Sequence, residues 1–385
     1  VAFTRDDLEQ LYELDSNPLL SVYLHTDPAE DPKGSHRIWL KDALKDHEAK
    51  LEGDDRKAFR EAAQRINAHV ADHRPQGKSW VAFVGSGVFV EHHLQVPVEN
   101  EIQWGRPQLA QLEWMLEEYG PYGVVLVDSQ TMRFFVAVMN EITELTHHKL
   151  ELDTSEWGEK AMMPPSQRQG SPTVGSVRGG NQREAYEQRV AEHTERFWKD
   201  AVPVLHEMRS QHEAGGLLIG GPKDARERFM ANIGDAADRV IGEVNVRVGA
   251  PAPDVLSESV PVIRAHERAR ETEMVDELLG RASTSAKASV GLASTLKMIQ
   301  EGRAAQVIVN RRLDEALQEC GDCRYVTTAD AEACPNCTGP SLKRGTLRAL
   351  LPVLLRRYGS GLEIVQAEAA DMLAEHDGIG TLLRF

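Results

Sequence analysis

The chain has 385 residues, with 44 Lys and Arg against 60 Asp and Glu, a formal net charge of -16. Such an acid excess excludes general coating of nucleic acid, which needs an electropositive footprint, and confines RNA contact to local basic surfaces. A hydrophobic fraction of 41% without an apolar run of bilayer length argues against a membrane span, and the length asks for two or three domains.

In chain order, Pro18-Leu-Leu-Ser-Val-Tyr-Leu24 is an apolar run of strand formers, followed by a charged helical segment from about Arg37 to His73. Trp80 to Val84 and Val88 to Val90, joined by Gly85-Ser-Gly87, predict a β-hairpin. A helix over 107–118 closes an N-terminal α/β domain, 1–118. The continuous apolar run Tyr122-Gly-Val-Val-Leu-Val-Asp128 suits a strand buried on both faces, with Met132 to Val138 as its hairpin partner. A polar, proline-containing stretch from about Asp153 to Gly180 breaks the periodicity, and connections of that length tend to be functional or disordered. A long helix from about Gln182 to Glu213 follows, which Pro203 should kink or divide. Gly216 to Gly220 reads as a buried strand turning into the next helix. These elements predict a central mixed sheet, residues 119–252.

Pro251-Ala-Pro253 marks the second boundary. Beyond it, helices are predicted over 266–281, 289–301 and 342–357, strands over Ala305 to Asn310 and Leu362 to Gln366, a short helix near Ala370, and the terminal Gly378-Ile-Gly-Thr-Leu-Leu-Arg-Phe385. Their alternation predicts a compact α/β/α domain, 253–385.

The four cysteines of the chain are Cys320, Cys323, Cys334 and Cys337, a C-x2-C-x10-C-x2-C array. Two knuckles with two thiolates each predict a tetrahedral zinc site inserted in the C-terminal domain at 320–337. Nothing at the N-terminus resembles a signal peptide, so a cytoplasmic setting is expected, where reducing conditions disfavour disulfides. Four sulfurs leave no open position for water, which makes the zinc structural and not catalytic.

Two stretches lack acid altogether. Ala161 to Arg183 holds Arg168, Arg178 and Arg183, and Pro340 to Leu362 holds Lys343, Arg344, Arg348, Arg356 and Arg357. The second set suits either a solvated helix face or an RNA or partner contact. Gly220-Gly221-Pro222-Lys223 lacks the P-loop spacing and reads as a structural turn. Asp128 reads as a turn former. His92-His93 and His147-His148 are adjacent pairs that point to opposite faces on a strand and cannot share a metal there. No nucleophile elbow is present, and every cysteine is assigned to zinc.

Tyr122 to Asp128 with Arg133-Phe-Phe135, Arg178-Gly-Gly180 before a charged helix, Leu217-Leu-Ile-Gly-Gly221 before Arg228-Phe229, Gly302 to Val309, the cysteine pairs and Gly378 to Arg384 occur in a characteristic order. Together they resemble the bacterial members of the archaeal and eukaryotic peptide-release-factor and Pelota superfamily. The resemblance implies a ribonuclease-H-like central domain and a ribosomal-protein-like C-terminal domain. It also implies a tRNA-shaped molecule in the ribosomal A site, with the N-terminal domain at the decoding centre and the 153–183 loop projecting toward the peptidyl-transferase centre. Its partners would be the ribosome with its rRNA, and elongation factor Tu or a related translational GTPase.

In release factors the projecting loop carries Gly-Gly-Gln. Here the sequence is Arg178-Gly179-Gly180-Asn181-Gln182-Arg183, with the glutamine one residue late, although Gly180-Asn181-Gln182 fits a relaxed form. Arg168, Arg178, Gly179, Gly180, Asn181, Gln182 and Arg183 are thereby candidate RNA contacts, and Gln182 is a candidate catalytic residue only if the chain is hydrolytic. A displacement of about 1 Å can cost on the order of 100-fold in rate, so the shift counts against hydrolysis. The same residues also fit a glycine hinge capped by Asn181. No Asn-Ile-Lys-Ser element for inspecting stop codons is present. The expectation is codon-independent occupancy of the A site, as in ribosome hibernation. Peptidyl-tRNA hydrolysis through Gln182 and a stress-linked protein-binding module are the alternatives.

Overall fold

The structure is a computed structural model, and it describes residues 2–14, 18–73, 76–149, 192–284 and 287–384. The chain divides into two compact units. One comprises 1–120, 138–141 and 264–385, and the other comprises 121–137 and 142–263.

The first unit contains an antiparallel sheet of β1 (Leu19–His25), β2 (Ser79–Gly85), β3 (Val88–Leu94) and β4 (Glu101–Gly105) in the order β3-β2-β1-β4. Both central strands are almost wholly buried because alternate residues serve opposite faces. Leu20, Val22, Leu24, Trp80, Ala82 and Val84 pack with Leu40 and Leu44 of α2 (Ser35–Glu48) and Phe59 and Ile66 of α3 (Gly53–Asp72). Tyr23, Val81 and Phe83 pack with Leu8 and Leu11 of α1 (Arg5–Tyr12) and Leu112 and Met115 of α4 (Ala110–Glu118). The charged segment read as one helix is thus two, α2 and α3. The β4 strand was not anticipated. Its alternate residues Ile102 and Trp104 cover one core, while Glu101 and Gln103 interrupt the apolar signal.

A second sheet in this unit runs β10 (Ala288–Val290), β16 (Ile379–Leu383), β11 (Ala304–Asn310) and β15 (Gly361–Val365). The β11 and β15 strands are parallel, and β16 is antiparallel to β11. Ile308 and Val365 face one layer with Val275, Leu278 and Leu373. Val307, Val309 and Ile364 face the other with Leu296, Ile299, Leu351, Leu354 and also Trp114 of α4. This is the anticipated α/β/α arrangement, and α4 shares its core. A small sheet β13-β12-β14, formed by Val326–Thr328, Ala316–Cys320 and Leu342–Thr346, carries the cysteines. The helix expected over 342–357 begins instead at Leu347. Residues 342–346 pair with β12 as β14, and Thr346 caps the helix Leu347–Tyr358 by accepting from the Ala349 N–H.

The second unit holds the mixed sheet β7-β6-β5-β8-β9, formed by Glu141–Lys149, Thr131–Val138, Tyr122–Val127, Leu217–Gly220 and Val240–Val244. The β5 strand is antiparallel to β6 and parallel to β8, and β8 is parallel to β9, a ribonuclease-H-like order. The helix preceding β8 breaks at Asp200 between residues 192–199 and Ala201–His212. Pro203 lies in the first turn of the second piece, where its missing N–H costs nothing. Pro253 likewise falls in the first turn of the helix Ala252–Thr284, which begins earlier than the sequence indicated.

Candidate metal centre and basic surfaces

The two cysteine pairs sit on two turns with the same backbone construction. At the first, the Arg324 N–H donates to the Cys320 carbonyl at 2.9 Å and the Cys320 N–H donates to the Tyr325 carbonyl at 2.9 Å. At the second, the Thr338 N–H donates to the Cys334 carbonyl at 2.8 Å and the Cys334 N–H donates to the Gly339 carbonyl at 3.0 Å. Arg324 and Thr338, each four residues past the first cysteine, adopt left-handed φ angles of 58° and 57°. Non-glycine residues enter that region only where the surroundings hold them there.

These turns bring four sulfurs together. Cys320 Sγ lies 3.6 Å from Cys337 Sγ and Cys323 Sγ lies 3.5 Å from Cys334 Sγ, with all four ligand atoms within 4.8 Å of one another. A tetrahedral ion with metal–sulfur bonds of about 2.3 Å requires sulfurs about 3.8 Å apart, so the residues fit. The thiols cannot all ionise unaided. The Asn336 side chain and the Tyr325 N–H favour the Cys323 thiolate and bring it down to about 6. The Gly339 N–H works the same way at Cys337, but the Cys323 and Cys320 thiols push that group up to about 12. A cation at the centre removes the conflict. The set could therefore hold a metal ion, and a four-sulfur shell leaves it no reactive position.

The C-terminal basic residues are largely committed to protein contacts. Arg356 pairs with Glu9, and Arg348 donates to Glu99 at 2.8 Å and to the Arg311 carbonyl at 2.6 Å while lying over the Trp114 ring. Arg357 reaches the Arg324 carbonyl at 3.0 Å and Glu319 at 3.8 Å. Lys343 and Arg344 remain exposed on β14.

The other sequence candidates are structural. Asp128 accepts from the Gln130 and Thr131 N–H groups at 2.8 and 2.7 Å, closing the β5–β6 turn. Gly221 has φ +117°, and a Cβ there would lie 1.9 Å from the Val127 carbonyl oxygen. The glycine thus answers a close backbone approach and not a phosphate. His92 packs edge-on to Phe3 while His93 meets the Gln76 backbone, so this pair does diverge. Arg133 is buried over Phe135, paired with Glu144 at 2.7 Å and donating to the Val248 carbonyl at 2.8 Å. Arg168, Arg178, Gly179, Gly180, Asn181, Gln182 and Arg183 lie outside the described residues.

Residues 107–264, which include β5, β6, β8 and β9, match the model of bacterial archaeo-eukaryotic release factor family 10. That segment is similar to the bacterial archaeo-eukaryotic release factors. Solved structures aligned with this chain include the archaeal translation termination factor aRF1, at 13% identity over 100% of this chain and 99% of that one, with TM-score 0.28. Archaeal Pelota, from a model of ribosome-bound Pelota and ABCE1, aligns at 12% identity over 100% and 95%, with TM-score 0.43. S. cerevisiae Dom34, a translation termination-like factor involved in RNA quality control pathways and interacting with Hbs1, aligns at 9% identity over 80% of each chain, with TM-score 0.42. Among the described residues, no helix is long and apolar enough to cross a membrane.

Proposed function

We propose that this chain is a ribosome-binding translation factor that occupies the A site in a tRNA-like manner without reading a codon, and that it keeps idle ribosomes filled. The observation that carries this reading is the release-factor family match over 107–264. The absence of an Asn-Ile-Lys-Ser element and the displaced glutamine in Arg178-Gly-Gly-Asn-Gln-Arg183 turn it from termination toward occupancy. In this reading the domains are 1–118, 119–252 and 253–385. Arg168, Arg178 and Arg183 meet rRNA phosphates as planar donor forks, and Gly179 and Gly180 allow close backbone approach. Zinc is the ion held by the four cysteines, and elongation factor Tu or a related GTPase assists delivery.

Sucrose-gradient sedimentation with purified 70S ribosomes tests the proposal. Co-migration at modest salt, displaced by tRNA in the A site, is expected; absence from the 70S fraction overturns it. Labelled-peptide release from stalled ribosomes, compared between the parent and Gln182→Ala, separates occupancy from hydrolysis. Release that depends on Gln182 would replace occupancy with peptidyl-tRNA cleavage.

A further inference from the structure

The α2 helix carries a row of cations that the sequence reading passed over. Lys33, just ahead of the helix, and Arg37, Lys41 and Lys45 within it recur at intervals of four residues and are all exposed. In a helix this spacing advances about 6 Å per step and drifts only about 40° around the axis, so Arg37, Lys41 and Lys45 form one oblique stripe, with Lys33 in the turn that precedes it. Among the described residues, none of the four side chains has a hydrogen-bond or ion-pair partner.

The nearby carboxylates are occupied elsewhere. Asp31 accepts from the Ser35 and His36 N–H groups at 2.7 and 2.9 Å and meets His36 Nδ1 at 2.7 Å. Glu48, three residues past Lys45, receives Arg60 at 2.6 Å and Arg56 at 3.4 Å. Asp42 and Asp46 fall one position further round the helix, on the side away from the buried stripe of His36, Leu40 and Leu44. The acid nearest the row is Asp42, three residues before Lys45, and no ion pair joins the two.

Such an arrangement works against the helix that bears it. Like charges at i and i+4 repel, and here they do so in succession. The first turn of α2 has no acid of its own and is capped by the Asp31 carboxylate, while Lys33 and Arg37 stand near the same positive end of the helix dipole. Local rules broken without an internal gain point to a counter-charge outside the molecule.

The form of the row selects among polyanions. Interfacial membrane binding needs an apolar flank, and a protein interface needs an aromatic or aliphatic centre. The stripe is accompanied by one exposed aliphatic side chain, Ile38. Evenly stepped cations without such a centre match the repeating phosphates of a nucleic acid strand, with Arg37 as a bidentate donor and the lysines as point charges. We propose that Lys33, Arg37, Lys41 and Lys45 form a contact surface for the sugar-phosphate backbone of RNA, one that positions the N-terminal domain without reading sequence. The choice of RNA over another nucleic acid rests on the proposed ribosomal function.

Two assays on the full chain keep the two proposals apart. In the first, a fluorescein-labelled RNA hairpin is titrated across a potassium chloride series with the parent, Arg37→Gln/Lys41→Gln/Lys45→Gln, and Lys50→Gln/Lys57→Gln as an off-row control. The row variant should lose about 2 to 3 from the slope of log affinity against log salt, close to one per cation, while melting no lower than the parent. The control should keep the parental slope. An unchanged slope in the row variant, an equal loss in the control, or no hairpin binding by the parent overturns the row. Phosphatidylserine vesicles bound through the same residues as tightly as the hairpin would also overturn it. In the second assay, parent and row variant are sedimented with ribosomes. A parent that sediments with them alongside a row variant of parental slope rejects the row and keeps the ribosomal reading. A parent that binds the hairpin through the row but not ribosomes does the reverse.

Discussion

Arg356 holds both carboxylate oxygens of Glu9, at 2.7 and 2.6 Å, while its guanidinium lies 3.9 Å over the centre of the Tyr12 ring. The pair joins the helix Leu347–Tyr358 to α1 within one compact unit. Hydrogen bonding from Arg356 holds the Glu9 carboxyl below the usual carboxylate range. Because both side chains are about half exposed, the ion pair is worth at most about 1 kcal/mol, and the stacking adds about 0.5–1 kcal/mol. Arg356→Ala should cost about 1–2 kcal/mol in urea unfolding, and Arg356→Lys should recover less than half, since an ammonium cannot make the planar fork. RNA-hairpin affinity should not change, because this charge is already taken.

Replacing one buried sulfur should release the ion. Cys334→Ser leaves three ligands and is expected to abolish zinc retention through gel filtration, measured by elemental analysis, and to lower the thermal midpoint as chelator does to the parent. Parental stability in the variant, or a parent without metal, would contradict the assignment.

Gly221→Ala should be among the most damaging single substitutions in the second unit. The left-handed backbone and the 1.9 Å approach to the Val127 carbonyl oxygen leave no place for a methyl group. A loss of about 3 kcal/mol or more is expected. Gly249→Ala is the control, because its added carbon meets nothing within 4 Å. Unfolding midpoints of the two variants should differ widely.

Asp31 ties the start of α2 and makes that tie acid-sensitive. The His36 and Ser35 N–H groups hold its carboxyl below its ordinary 3.8. A depressed carboxyl contributes stability that is fully present above the unfolded value and disappears as pH falls below it toward the folded value. Thermal midpoints of the parent should therefore fall through this window more steeply than those of Asp31→Asn. At neutral pH the variant should melt lower, having lost the charged acceptor.

The features legible in the sequence were those written in uninterrupted residue type. Tyr122 to Val127, Leu217 to Gly220 and Val307 to Val309 are apolar because both faces are covered, and the cysteine spacing specifies its own geometry. Elements at sheet edges were less visible. The β4 strand hides behind Glu101 and Gln103, and Leu342 to Thr346 carries Lys343 and Arg344, which imitate a helix face until pairing with β12 claims the backbone. The cations posed a different difficulty. The sequence shows where arginines are but not which carboxylates reach them, so Arg348 and Arg356 looked available while their partners, Glu99 and Glu9, lay far away in the chain. The four-residue period of Lys33 to Lys45 was the readable signal for the α2 row, and Asp42 and Asp46 masked it.

Leu317 and Val326 belong to the same apolar cluster as Trp114, Leu347 and Leu351, on strands that end at or near the first cysteine knuckle. Loosening the sulfur cage consequently frees two strands that help cover this shared core. A metal ion bound there would therefore guard the interior of this lobe against proteases, and its removal is expected to open that interior before the rest of the chain is affected.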